Sequence, residues 1–209
     1  MKNIPIRRTD TEKVQVGDYF DKVDRYYDQV HEITVVKVFS GDCHVTIEDE
    51  MLVTILGSCI SACIRDPVAG VGGMNHFLLP GNDERMDSES LRFGAFAMEQ
   101  LLNQIMKLGG DKKRLEVKLF GGANVIESSA LIGSKNVDFV REFLRDEGIK
   151  ITKQDVGGDS PRRIHYYPKT GKVMMRKLKR KDDMRIIEEE KQYAENLHKQ
   201  KAAKNVELF

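Results

Sequence analysis

Cys59-Ile60-Ser61-Ala62-Cys63-Ile64-Arg65, then Asp66-Pro67-Val68-Ala69-Gly70, then Val71-Gly72-Gly73-Met74-Asn75-His76-Phe77-Leu78-Leu79: the fold turns on this run. Its first part alternates strictly, so as a strand it sends Ile60, Ala62 and Ile64 to one face and Cys59, Ser61, Cys63 and Arg65 to the other. The middle part holds the turn formers Asp66, Pro67 and Gly70, and the last part reads as a return strand stopped by Pro80-Gly81. If Asp66 pairs with Val71 across the turn, Cys59 falls opposite Leu78, and His76 is its diagonal neighbour on the same face. Diagonal partners have Cα atoms roughly 7–8 Å apart, within reach of a thiol and an imidazole that lean together. A one-residue shift, such as a bulge at Gly72-Gly73, sends the imidazole to the other face.

Outward from this hairpin, Ile33–Phe39 is rich in β-branched residues, and Glu50–Leu56 is a second such run halted by Gly57-Ser58; both read as strands. Leu91, Ala95, Met98, Leu101, Leu102 and Ile105 share one helix face, with Gly109-Gly110 as a left-handed stop. Leu115–Phe120 alternates as a strand into Gly121-Gly122, and Val137, Val140 and Leu144 mark a second helix ending at Gly148. Ile149–Val156 is extended, and Ile164–Tyr167 faces Val173–Leu178 across a turn at Lys169-Thr170-Gly171. Several strands with two good helices give an expected α+β fold, a layered sandwich with mixed, largely antiparallel β-sheets flanked by two main helices. The expected domains are a polar N-terminal extension at 1–32, a main folded domain at 33–178 and a charged helical tail at 179–209.

Composition removes several function classes. The 209 residues suit one main core. Lys and Arg total 34 against 33 Asp and Glu, so a net charge of +1 offers no field to gather nucleic acid. No apolar run approaches a membrane span, and three sparse cysteines fit a reduced cytoplasm. Cys59 and Cys63 lie about 13 Å apart along a strand, beyond disulfide reach. Cys43, His44 and the other ligand types lack paired zinc spacing, and the glycine pairs lack a phosphate-loop ending, so neither metal nor cofactor is expected. His165, among Arg162, Arg163, Tyr166 and Tyr167, belongs to a set able to bind an anion, but packing beside its hairpin partner is the simpler reading.

A cysteine attacks as thiolate, a minority form at neutral pH, so Cys59 needs a base such as His76. Lone cysteines and histidines in strands are more often packed than catalytic, and spacing alone does not reverse that. The backbone N–H groups around Gly57, Ser58 and Cys59 are candidate oxyanion donors, and Ser58 and Asn75 candidates for binding a substrate amide. The strings Thr54-Ile55-Leu56-Gly57-Ser58-Cys59, Arg65-Asp66-Pro67 and Gly72-Gly73-Met74-Asn75-His76-Phe77-Leu78-Leu79-Pro80 resemble the chemoreceptor glutamine deamidases, the CheD family of bacterial chemotaxis. The resemblance continues through Phe93-Gly94, Ala97-Met98-Glu99, Lys118-Leu119-Phe120-Gly121-Gly122-Ala123, Ile132-Gly133, Asn136-Val137 and Thr170-Gly171-Lys172-Val173. It implies a catalytic set at Cys59, His76 and Thr54, and a protein-glutamine glutaminase acting as a cysteine amidohydrolase. The implied partners are the cytoplasmic domains of chemoreceptors and a CheC-type response-regulator phosphatase. Two alternatives stay open: a chemotaxis binding module with minor catalysis, and a receptor methylesterase.

Overall fold

The computed structural model describes residues 24–79, 88–125 and 130–178, together with residue 192. In chain order the elements are β1 (Asp24–Asp28), β2 (Ile33–Lys37), β3 (Cys43–Thr46), β4 (Glu50–Leu56), β5 (Ile60–Asp66), β6 (Val71–Asn75), α1 (Ser88–Lys107), a 3-10 turn (Lys112–Arg114), β7 (Glu116–Gly121), α2 (Ala130–Asp146), β8 (Ile151–Val156), β9 (Arg162–Tyr167) and β10 (Lys172–Lys177). One five-stranded sheet runs β1-β2-β4-β9-β10 and the other β3-β6-β5-β7-β8. Each contains one parallel pair, β2 with β4 and β7 with β8, so the α+β sandwich of mixed, mainly antiparallel sheets is the observed architecture.

The alternation of β5 explains the layering. Ile60, Ala62 and Ile64 join Met98, Leu101 and Ile105 of α1 and Val140 and Leu144 of α2 in one buried cluster. Cys59 and Cys63 join Leu52 and Leu56 of β4 and Ile164 and Tyr166 of β9 in another. Three layers result, with both helices on one face of the second sheet and the first sheet on the other. Leu91, the first residue of the predicted α1 stripe, is exposed, whereas Met98, Leu101 and Ile105 are wholly buried. Both helices stop where expected, at Gly109 and Gly148 with φ of 92° and 66°.

Of the two registers left open by the sequence, the central hairpin adopts the one that pairs Asp66 with Val71. Asp66 pairs with Val71, Arg65 with Gly72, Ile64 with Gly73 and Cys63 with Met74, and the same offset returns at Ile60 with Phe77. No net shift accumulates at Gly72-Gly73. Gly73 instead admits the neighbouring strand, because a Cβ there would lie 2.5 Å from the His44 carbonyl oxygen and 2.6 Å from Val45 Cγ2. Asp66 closes the turn end of the hairpin. Its carboxylate accepts the amides of Val68, Ala69 and Asp111 and the Arg114 guanidinium, and these donors hold it well below the usual carboxylate range.

Two strands were not expected. Residues 24–28, assigned by sequence to the polar extension, form β1 and pair with β2, so the folded domain starts before residue 33. This edge strand is exposed along nearly its whole length and so shows no apolar alternation to read. The four-residue β3 is too short to carry a period. Residues 1–23 of the extension, and the charged tail apart from residue 192, lie outside the described residues.

Candidate active site

Thr54 stands on the inner face of β4, toward the second sheet. Its hydroxyl donates to the Val38 carbonyl at 2.7 Å and lies 2.9 Å from His76 Nδ1. Val38 O is also 3.3 Å from that nitrogen. A carbonyl only accepts, and the single hydroxyl proton of Thr54 is already committed to it, so Nδ1 must carry the hydrogen. The neutral ring therefore has its basic lone pair on Nε2. The backbone of His76 is fixed too, its N–H donating to Asp42 O at 3.0 Å and its carbonyl accepting from Gly41 at 2.7 Å.

Cys59 enters the same layer from the other strand of the hairpin. Ile60 and Phe77 exchange both backbone hydrogen bonds, at 2.9 and 3.0 Å, so Cys59 and His76 flank one tight antiparallel pair and share its inner face. The turn before Cys59 is gripped at three successive carbonyls: Gly57 O by Ala123 N, Ser58 O by Asn136 Nδ2 and Cys59 O by Gly122 N, at 2.8, 2.9 and 2.7 Å. Gly121, with φ of 111°, permits this grip, since a Cβ there would collide with the Cys59 carbonyl. Asn136 of α2 does more, because its Oδ1 also accepts from Leu79 N at 2.8 Å. One side chain thus ties the segment before the thiol to the segment after the imidazole.

The loop between β2 and β3 completes the site and was not singled out by sequence. It supplies Val38 O to Thr54 and His76, holds His76 through Gly41 and Asp42, and brings Ser40 Oγ to 3.5 Å from Cys59 Sγ. Phe39 beside it is half exposed. The signal that could have found it is the Ser40-Gly41-Asp42 turn directly after the Ile33 strand.

Of the residues predicted for the site, Cys59, His76 and Thr54 lie in one buried layer, 0%, 5% and 7% exposed. Gly57 and Ser58 form the turn beside them. Asn75 does not join this group. It faces α1, where its side chain accepts from Ala62 N at 2.9 Å and donates to Ala97 O at 3.1 Å, so it braces the helix against the sheet rather than lining the site. Burial pushes the thiols of Cys43 and Cys63 up to about 12, so neither supplies thiolate near neutrality. Among the described residues no three His, Cys, Asp or Glu side chains gather as a metal site.

The family model for CheD chemotactic sensory transduction matches residues 78–177, downstream of the thiol and imidazole. Full-length relatives extend the similarity across them. A protein of Hahella chejuensis is 48% identical over 91% of this chain and 92% of its own length, and one of Rhodopseudomonas palustris is 47% identical over 92% of each. A third, from Methylobacillus flagellatus, is 44% identical over 88% of this chain and 94% of its own length; all three are named probable chemoreceptor glutamine deamidase CheD. A solved structure of the hypothetical protein YfiH from Bacillus licheniformis overlaps 57% of this chain and 50% of its own at a TM-score of 0.37 and 14% identity. With the relatives spanning nine-tenths of their own length at such identity, the chain belongs to the CheD family.

Proposed function

We propose that this protein deamidates glutamine side chains of chemoreceptors to glutamate in the cytoplasm, with Cys59 as nucleophile and His76 as general acid and base. The observation that carries the mechanism is the pair of contacts, from Thr54 Oγ1 and Val38 O, on His76 Nδ1. Thr54 and Val38 O hold the proton on Nδ1, which turns the Nε2 lone pair to base duty on the face that Cys59 shares. Family membership supports the substrate class, through relatives named for chemoreceptor glutamine deamidation.

In the reaction, Nε2 takes the thiol proton while Cys59 Sγ forms a bond to the glutamine Cδ, placing negative charge on the former carbonyl oxygen. The amides of the Gly57-Ser58-Cys59 turn are assigned to that oxyanion, because the grip on the turn's three carbonyls fixes its peptide planes in advance. His76 returns the proton to nitrogen as the C–N bond breaks, and ammonia leaves a thioester. Water then loses a proton to Nε2 and attacks the thioester, releasing glutamate and restoring the thiol. Ser40 steadies the sulfur from the loop side.

The test incubates the full chain with a chemoreceptor cytoplasmic fragment and maps mass changes by peptide. A deamidation mass gain at glutamine, accompanied by ammonia, is expected; unchanged glutamines reject the reading, and methanol release exceeding ammonia release would replace it with an esterase.

A further inference from the structure

The β9–β10 hairpin ends beside the active site in two successive rungs of paired cations, Arg162 opposite Lys177 and Arg163 opposite Arg176. Like charges directly opposite on neighbouring strands repel. The fold relieves the first rung: Asp155 lies 2.7 Å from Arg162 and 3.8 Å from Lys177, with Arg162 only 2% exposed. It does nothing of the kind for the second. Arg163 and Arg176 point to the outer face of the first sheet, both are exposed, and among the described residues no carboxylate, carbonyl or hydroxyl bonds either of them.

Their surroundings fit an acidic polypeptide. The same face presents Lys172, whose ammonium lies 5.8 Å from the Tyr167 ring centroid, and the exposed Met174. His165 lies on the adjoining rung, opposite Met174, with a buried Nδ1 that has no hydrogen-bond partner. Burial and the charge of Arg163 hold this imidazole below its ordinary value, so the positive charge belongs to the arginines and lysine. The patch is too small for a nucleic-acid backbone, which needs an extended basic stripe, and its mixture of aliphatic and cationic groups matches a protein surface. It also lies near the end of β4 that leads into the Cys59 turn, on the face of the first sheet opposite Cys59, Thr54 and His76. Arg162 pairs with Leu56 and Ile164 with Thr54, so Arg163 and Arg176 stand one and two strands from β4, about 5 and 10 Å away across the sheet.

We propose that Arg163 and Arg176 dock an acidic stretch of the protein substrate flanking the reacting glutamine; this rests on the deamidase reading above. The test measures initial rates of ammonia release by the full chain against chemoreceptor cytoplasmic fragment, at low and high salt, for wild type, Arg163→Glu/Arg176→Glu and Lys113→Glu. Lys113 is exposed on the 3-10 turn at the far end of the second sheet and controls for charge reversal as such. The expected result is a KM about tenfold higher for the double variant at low salt, a gap that narrows at high salt, and wild-type KM for Lys113→Glu. An unchanged KM in the double variant at low salt overturns the proposal. So does binding of wild type, but not of the double variant, to phosphatidylglycerol vesicles with KM unaltered, which would assign the pair to a membrane. If the double reversal fails to fold in a thermal melt, Arg163→Gln/Arg176→Gln is measured instead, with a smaller KM rise expected and an unchanged KM again fatal. The same assay separates the two ideas, since absence of ammonia release by wild type defeats the deamidase reading and undiminished release by Cys59→Ala defeats its nucleophile, whereas the KM comparison addresses docking alone.

Discussion

On the helix side of the β5–β6 hairpin, Ile60, Ala62, Ile64, Phe77 and Leu79 pack against α1 and α2, and the one amide there, Asn75, is bound to backbone. On the side facing the first sheet, the same segments carry Cys59, Cys63, Met74 and His76. Neighbours in sequence, one residue apart, therefore sit in layers that obey different rules: the helix layer rewards volume and shape, the inter-sheet layer orients polar atoms. Substitutions on opposite faces should consequently fail in different ways.

The largest contrast is between adjacent residues. Cys59→Ala is expected to reduce ammonia release to background with the melting temperature nearly unchanged, while Ile60→Ala should lower unfolding free energy by about 2–5 kcal/mol and keep most of the specific activity of its folded fraction. Parallel melts and rate assays check this, and equal losses of stability in both would erase the distinction between the faces. Next is Thr54→Val, which removes the oxygen that accepts from His76 Nδ1. A fall in kcat of about 100-fold is expected, with most of it recovered in Thr54→Ser; a valine variant with wild-type kcat would disconnect the hydroxyl from the imidazole.

Asp66 sharpens the comparison from the other end of the hairpin, because it is charged, wholly buried and structural. Asp66→Asn should cost about 2–3 kcal/mol at neutral pH and leave the rate of folded enzyme intact. The sign with pH follows from its depressed value in the fold: the stabilisation is complete above the unfolded carboxyl range near about 4 and fades as pH falls toward the folded value. Melts across that window should show wild type and variant converging in acid; a constant gap would show that the charge is not responsible. The smallest effects belong to Cys43→Ala and Cys63→Ala, which should retain most ammonia release, and whose native thiols should resist iodoacetamide at neutral pH. Loss of activity comparable to that of Cys59→Ala would spread the chemistry over all three thiols.

Much of this was legible in the chain because it is local. The alternation of residues 59–65, the turn at 66–70 and the resulting register need no information from elsewhere, and they place the thiol and the imidazole on one face. Thr54 came from the family resemblance rather than from any pattern, since a strand threonine reads as a strand former. The turn at Ser40-Gly41-Asp42 is readable, but what Ser40, Asn136 and Asp42 touch was not: each acts across 19 to 78 residues of sequence, through contacts that exist only after the sheets and α2 have packed. Asn75 shows the reverse failure, being next to His76 in sequence and on the opposite face in space.

The two hydrogen bonds of Asn136 mean that the spacing between the segments carrying Cys59 and His76 is not a property of the hairpin alone. A helix remote in sequence acts as the spacer bar, fastened by one amide to both edges of the gap. Transplanting residues 54–79 onto another scaffold would therefore move the thiol and the imidazole without the brace that α2 lends to their separation.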